Sequence, residues 1–211
     1  MVLLNSIQLY LFVFLPFFHS NSNSKKTEYF FNIEILCIID DYCILLTYFC
    51  GWKFLNSTGV DLNLQFPAGW QEARRIKFEQ GFTKPAPRDY VGEGPLTERE
   101  ALAIYNFTLK NNFDLTISYH TQGKEIYWNF QNINPPRGYE IGQIFSRVSG
   151  YTLANVPYNS SFAGYKDWFI QNYNKPGYTI EAGIGQSPLP LSQFDEIYND
   201  NIGILVLGIT V

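Results

Sequence analysis

Histidine is nearly absent from this sequence: there are two in 211 residues, His19 and His120. No site built from three imidazoles can form within such a chain. Cysteine is as scarce and is confined to one end, since Cys37, Cys43 and Cys50 all fall in the first fifty residues. Their spacings of six and seven do not match a C-x-x-C redox or metal pair, and an odd count leaves one thiol outside any disulfide scheme. Basic charge is not in excess. Fifteen Lys and Arg against nineteen Asp and Glu give a formal net charge of −4, which offers no basic field to nucleic acid. No unbroken apolar run is long enough to span a membrane. Residues 9–18 have the core length of a secretory leader, with Ser20-Asn21-Ser22 or Ser22-Asn23-Ser24 as a small-x-small stretch behind it. No Lys or Arg precedes that core, however, and Asn5, Gln8 and Pro16 interrupt the run of about 20 apolar residues that a membrane span needs. Residues 29–50 carry Glu34, Asp40 and Asp41 and make a poorer span still, so membrane association is disfavoured.

What the chain does have is bulk for a core. Hydrophobic residues make up 46% and charged residues 16%, the balance of a packed globular protein and not of a disordered one. Aromatics at 18% suggest large tyrosine-lined surfaces or clefts. The character of the chain changes at Gly51-Trp52-Lys53, where an apolar stretch gives way to glycines, prolines and well-spaced charges. Residues 1–50 and 51–211 read as different kinds of sequence. The first has three candidate origins: translation of a wrong frame, an upstream fusion, or a genuine leader. The second has no internal repeat and no low-complexity linker, and reads as one folding unit.

Within 51–211, Gly59-Val60-Asp61-Leu62-Asn63-Leu64-Gln65-Phe66 alternates apolar and polar side chains, which predicts a strand and its exit. Residues 67–90, rich in Gly, Pro and charge, predict a long surface loop. A helix starts near Thr97-Glu98-Arg99-Glu100, where Thr97 and Glu100 have capping-box spacing. Leu102, Tyr105 and Leu109 give it an apolar face, and Asn111-Asn112 end it. The remaining pattern predicts strands at 115–119, 126–130 and 178–182 and helices at 138–150, 162–174 and 192–208. Strands alternating with helices mean an α/β fold, a mixed sheet with helices on both faces. Phe162, Tyr165, Trp168 and Phe169 have helical spacing and are expected in the core.

Two side chains stand out against that frame. His120 ends the β-branched run Leu115-Thr116-Ile117, and Glu181 ends a second short strand sixty-one residues later. In sheets of this kind ligands gather at strand ends. A histidine and a glutamate placed there are the start of a metal-hydrolase site.

Several ordered segments carry a resemblance: Trp52-Lys53, Gly59-Val60-Asp61-Leu62-Asn63, Gly94-Pro95-Leu96-Thr97-Glu98, Tyr119-His120-Thr121-Gln122-Gly123, Tyr165-Lys166-Asp167-Trp168 and Thr179-Ile180-Glu181-Ala182-Gly183. In their order and spacing, residues 51–211 resemble the C-terminal two-thirds or so of a zinc carboxypeptidase-family domain. The nearest branch is the bacterial γ-D-glutamyl-L-diamino acid endopeptidases, which trim peptidoglycan stem peptides. The resemblance implies a zinc cofactor and a peptidoglycan-derived peptide as substrate; members of the branch are often secreted or associated with cell wall or spore. By position His120 resembles a zinc ligand, and Glu181 the general base that takes a proton from zinc-bound water. Lys53 resembles the cation that stabilises the oxyanion, a place often held by Arg. Asn63 resembles a residue that binds the substrate's terminal carboxylate, and Tyr158 the mobile tyrosine that covers the substrate. Leu64 stands where the family usually has an arginine, so the fork that reads a free C-terminus is lost at that position. Arg74, Arg88 and Arg137 remain as cations in loops.

The family's other two zinc ligands come from a His-x-x-Glu, and this sequence contains none. The domain is therefore expected to be N-terminally incomplete and unable to hold zinc tightly, because affinity comes from several deprotonated ligands fixed together. An inactive, truncated metallopeptidase is the leading expectation. A non-catalytic peptide- or cell-wall-binding remnant that keeps the cleft is the alternative.

Overall fold

The computed structural model describes residues 35–39, 42–48, 58–187 and 189–211. The apolar run at 9–18, His19, Cys50 and Lys53 lie outside the described residues. A six-stranded mixed sheet forms the centre, with strands β1 (Ile35–Ile39), β2 (Tyr42–Tyr48), β3 (Leu115–His120), β4 (Glu125–Tyr127), β5 (Thr152–Ala154) and β6 (Gly177–Glu181) in the order β1-β2-β3-β6-β4-β5. Strands β2, β3 and β6 run parallel, β4 lies antiparallel to β6, and β1 lies antiparallel to β2. Two of these strands come from the segment that the sequence reading sets apart, and β2 lies directly along β3.

Helices cover both faces. On one side α3 (Gly138–Ser149) and α5 (Phe194–Gly208) pack Ile141, Phe145 and Ile204 against Ile117, Ile126, Tyr178 and Ile180 of the sheet. Each such side chain, fully buried, contributes roughly 1.5–3 kcal/mol. The helix comes close because Gly142 has no side chain: a Cβ there would meet Leu153 Cδ1 at 2.7 Å. On the other side α2 (Arg99–Lys110) and α4 (Tyr165–Tyr173) close an aromatic cluster of Phe66, Phe113, Tyr165, Trp168 and Phe169. Of the four helically spaced aromatics, Tyr165, Trp168 and Phe169 are buried on α4, whereas Phe162 precedes the helix and packs against the cluster half-buried.

Three local readings need correction. Residues 59–66 are not a strand: Leu62–Leu64 form a 3-10 turn, in which the Asp61 carboxylate accepts the Asn63 N–H at 3.0 Å. Alternation there records burial of Val60, Leu62, Leu64 and Phe66, and a tight turn can satisfy that pattern as well as an extended chain. The predicted loop 67–90 contains α1 (Trp70–Glu79), which anchors Trp70, Ala73 and Ile76 inward at three-residue spacing. The Gly- and Pro-rich flanks obscured that stripe. Helix α2 starts at Arg99 without the predicted capping box. The buried Gln65 side chain takes its place, its Oε1 accepting the N–H groups of Thr97 at 3.0 Å and Glu98 at 3.2 Å. The buried side of α2 runs through Ala101 and Thr108, leaving Leu102 and Leu109 exposed, because Thr108 meets the hydroxyl of Tyr165 at 3.0 Å. Strand β5, three residues long at the sheet edge, has no signal in the sequence pattern. Among the described residues no helix is long and apolar enough to cross a membrane.

Candidate functional site

Three strands deliver one row of ionisable side chains. His120 at the end of β3 is in register with Glu181 on β6, and Glu181 is in register with Glu125 on β4. Directly paired residues project to the same face of a sheet, so all three side chains leave on the side opposite the α3–α5 layer. Ser118 and Thr179 precede His120 and Glu181 on that face and line the same cleft, whose volume is about 850 Å³.

The cleft floor is polar, and its chemistry follows from that. His120 is half-buried at its foot, and loss of water lowers its pKa to about 4, with Asp167 pulling the other way. Its imidazole is therefore neutral. Burial, and then the neighbouring Glu125 carboxylate, push Glu181 up to about 7. Glu125 in turn accepts a hydrogen bond from the hydroxyl of Tyr127, itself a lining residue. Lys166 and Asp167 form a buried ion pair at 2.6 Å, their side chains only 5% and 6% exposed. The Lys166 ammonium also donates to the Asn129 carbonyl at 2.5 Å, and Asp167 accepts the Gly164 N–H at 3.1 Å at the start of α4.

The opposite end of the cleft is organised by one carboxylate. Asp61 accepts the N–H of Asn63 through Oδ1 at 3.0 Å and that of Asp89 through Oδ2 at 2.8 Å. Burial raises its pKa, with those backbone N–H groups working against the rise. Asp89 then receives Lys77 Nζ at 2.5 Å and Arg88 Nε at 2.7 Å.

Of the residues singled out from sequence, the cleft unites His120, Glu181 and Asn63. Tyr158 is not among them. It is 56% exposed on a 3-10 turn, its hydroxyl donates to Glu72 at 3.1 Å, and its ring meets Phe162 edge-on, while its neighbours Pro157, Asn159 and Ser160 line the cleft. Sequence reasoning missed the parts played by Glu125, Lys77 and Asp89. Only the strand register, and the folding of one loop over another, bring them to the site.

Among the described residues the donor set at the cleft does not fit a zinc centre. Among the described residues no group of three or more His, Cys, Asp and Glu side chains lies close enough to hold a metal ion. His120 supplies one neutral imidazole, and tight binding needs at least two further protein ligands.

Residues 52–203 match the zinc carboxypeptidase family. The chain is 47% identical over 161 residues to γ-D-glutamyl-L-diamino acid endopeptidase 1 of Lysinibacillus sphaericus, a match covering 76% of this chain and 39% of that protein. It is 43% identical over 157 residues to the uncharacterized protein YqgT of Bacillus subtilis (strain 168), covering 74% of this chain and 40% of the other. The chain thus spans about two fifths of the length of these curated relatives. Among solved structures, bovine thrombin-activatable fibrinolysis inhibitor in complex with tick carboxypeptidase inhibitor aligns with a TM-score of 0.55 at 17% identity, over 69% of this chain and 54% of that one. Murein-tripeptide amidase MpaA from Escherichia coli O157 aligns with a TM-score of 0.50 at 20% identity, over 72% and 60%. These two likenesses are of fold.

Proposed function

Because the chain belongs to the zinc carboxypeptidase family, we propose that its cleft binds peptidoglycan stem peptides at γ-D-glutamyl-diamino acid bonds and that the chain as it stands does not hydrolyse them. The observation that carries this reading is the convergence of His120, Glu181 and Asn63 on one cleft in a chain 47% identical to a γ-D-glutamyl-L-diamino acid endopeptidase. In the reading, His120 descends from a zinc ligand, Glu181 from the general base and Asn63 from a substrate-carboxylate contact. Tyr158 would reach a ligand only by leaving Glu72, and Lys53 keeps the oxyanion role as a proposal from sequence alone.

Inactivity follows from the donor set. With one histidine at the site among the described residues and no His-x-x-Glu in the sequence, the water and the scissile carbonyl have no Lewis acid fixed beside them. Glu181 could accept a proton, but from an unactivated water.

Calorimetric titration of the purified chain with a γ-D-glutamyl-diaminopimelate peptide, in the presence of a chelator, tests the binding. Saturable binding that does not depend on zinc is expected. Absence of binding with and without zinc would remove the peptide reading.

A further inference from the structure

Leu64 is buried against Trp70, Ala73, Val91 and Ala163, so no charge stands beside Asn63 at the position where the sequence resemblance places an arginine. The fold brings a different arginine there. Asp61 holds the N–H of Asn63 with one oxygen and the N–H of Asp89 with the other, and its own N–H donates to the carbonyl of Tyr90 at 2.8 Å. The segment 88–90 is thereby pinned against 61–63, and both Asn63 and Arg88 line the cleft.

Among the described residues three basic side chains line that cleft: Lys77, Arg88 and Lys166. Lys77 is bound to Asp89, and Lys166 to Asp167 and a backbone carbonyl, each in a largely buried setting. Arg88 differs from both. Its side chain is 80% exposed, and its one ion pair uses Nε, on Asp89 Oδ2. Nη1 and Nη2 make no bond among the described residues. The Asp89 contact fixes the plane of the guanidinium, and Lys77 on the other oxygen of Asp89 offsets that carboxylate's charge. An arginine held in this way presents a pre-oriented pair of donors matched to a carboxylate.

We propose that Arg88 is the specificity residue of the cleft, reading a carboxylate of the bound peptide in place of the arginine that Leu64 displaces. The inference rests on the peptide-binding reading above. A γ-D-glutamyl-diaminopimelate peptide carries three carboxylates that could be read: the α-carboxylate of the D-glutamyl residue, the C-terminal carboxylate and the distal carboxylate of the diamino acid.

The test is a thermodynamic cycle by calorimetry on the full chain. The ligands are L-alanyl-γ-D-glutamyl-meso-diaminopimelate and three analogues, each with one of those carboxylates converted to the amide. The proteins are the unaltered chain, Arg88→Gln and Arg88→Lys. A hydrogen-bonded charge pair open to solvent is expected to account for about tenfold in affinity. One analogue should bind the unaltered chain about tenfold more weakly than the parent peptide. Arg88→Gln should lose the same factor for the parent and nothing further for that analogue, and Arg88→Lys should recover part of it. The responding analogue identifies the carboxylate. Equal losses by Arg88→Gln for parent and all analogues, or no analogue weaker on the unaltered chain, would overturn the assignment and leave the peptide reading standing. No binding of the parent peptide to the unaltered chain would overturn both.

Discussion

The two faces of the sheet are built from the same strands and have opposite chemistry. On β3 the residues Leu115, Ile117 and Tyr119 enter or pack against the apolar layer under α3 and α5, while Thr116, Ser118 and His120 leave on the other side. Strand β6 repeats the division, with Tyr178 and Ile180 inward to that layer and Thr179 and Glu181 in the cleft. One face is a close-packed apolar layer. The other holds its charges by specific partners, Lys166 with Asp167, Lys77 with Asp89, Tyr127 with Glu125, and ends in an open cleft. The difference shows where function can reside: a strand two residues per repeat can serve a core and a site at once, provided the polar face keeps its pairs.

The largest loss is expected on the apolar side. Phe145 is wholly buried and meets Tyr178 edge-on at 5.0 Å, so Phe145→Ala should cost about 3–5 kcal/mol in a denaturant titration. On the polar face Lys166→Ala leaves Asp167 buried without its partner, and a loss of about 3 kcal/mol at pH 7 is expected by the same measurement. Both outcomes would show that the cleft floor is as necessary to folding as the core.

The rim should respond less, and with pH. At Asp89 burial opposes ionisation, but Lys77 and then Arg88 outweigh it and hold the carboxyl below its ordinary 3.8. A lowered pKa means that the native state favours the ionised form. The stabilisation is complete above the unfolded value and is lost as pH falls from 3.8 through the lower folded value. Asp89→Asn should therefore cost about 1–2 kcal/mol at pH 7, and the gap to the unaltered chain should narrow as pH falls below 3.8 when unfolding is followed across that range. The smallest effect belongs to Tyr158→Phe. Its hydroxyl contacts Glu72 in an exposed setting, so the thermal unfolding midpoint should scarcely move.

Period and chemistry made much of this legible from residues alone. The strand ending in His120, the strand ending in Glu181 and the aromatic stripe of α4 all follow from local pattern, and the family follows from the order of short segments. What escaped is what depends on contacts distant in sequence. Alternation at 59–66 is burial on a 3-10 turn held by Asp61, and helix α2 is capped by Gln65, more than thirty residues away. Glu125 reaches Glu181 only through the antiparallel register of a three-residue strand, too short to announce itself. Arg88 could be seen as a loop cation, but its place beside Asn63 needed the two N–H bonds to Asp61.

Peptide binding without metal chemistry is what the proposed function requires of this chain. The direct measurement is to equilibrate the purified chain with zinc, remove the excess, determine metal per mole of protein, and follow a γ-D-glutamyl-diaminopimelate peptide by mass spectrometry in the same sample. Well under one zinc per chain and an intact peptide that still binds are expected from the proposed function. One zinc per chain together with cleavage of the γ-D-glutamyl bond would contradict it.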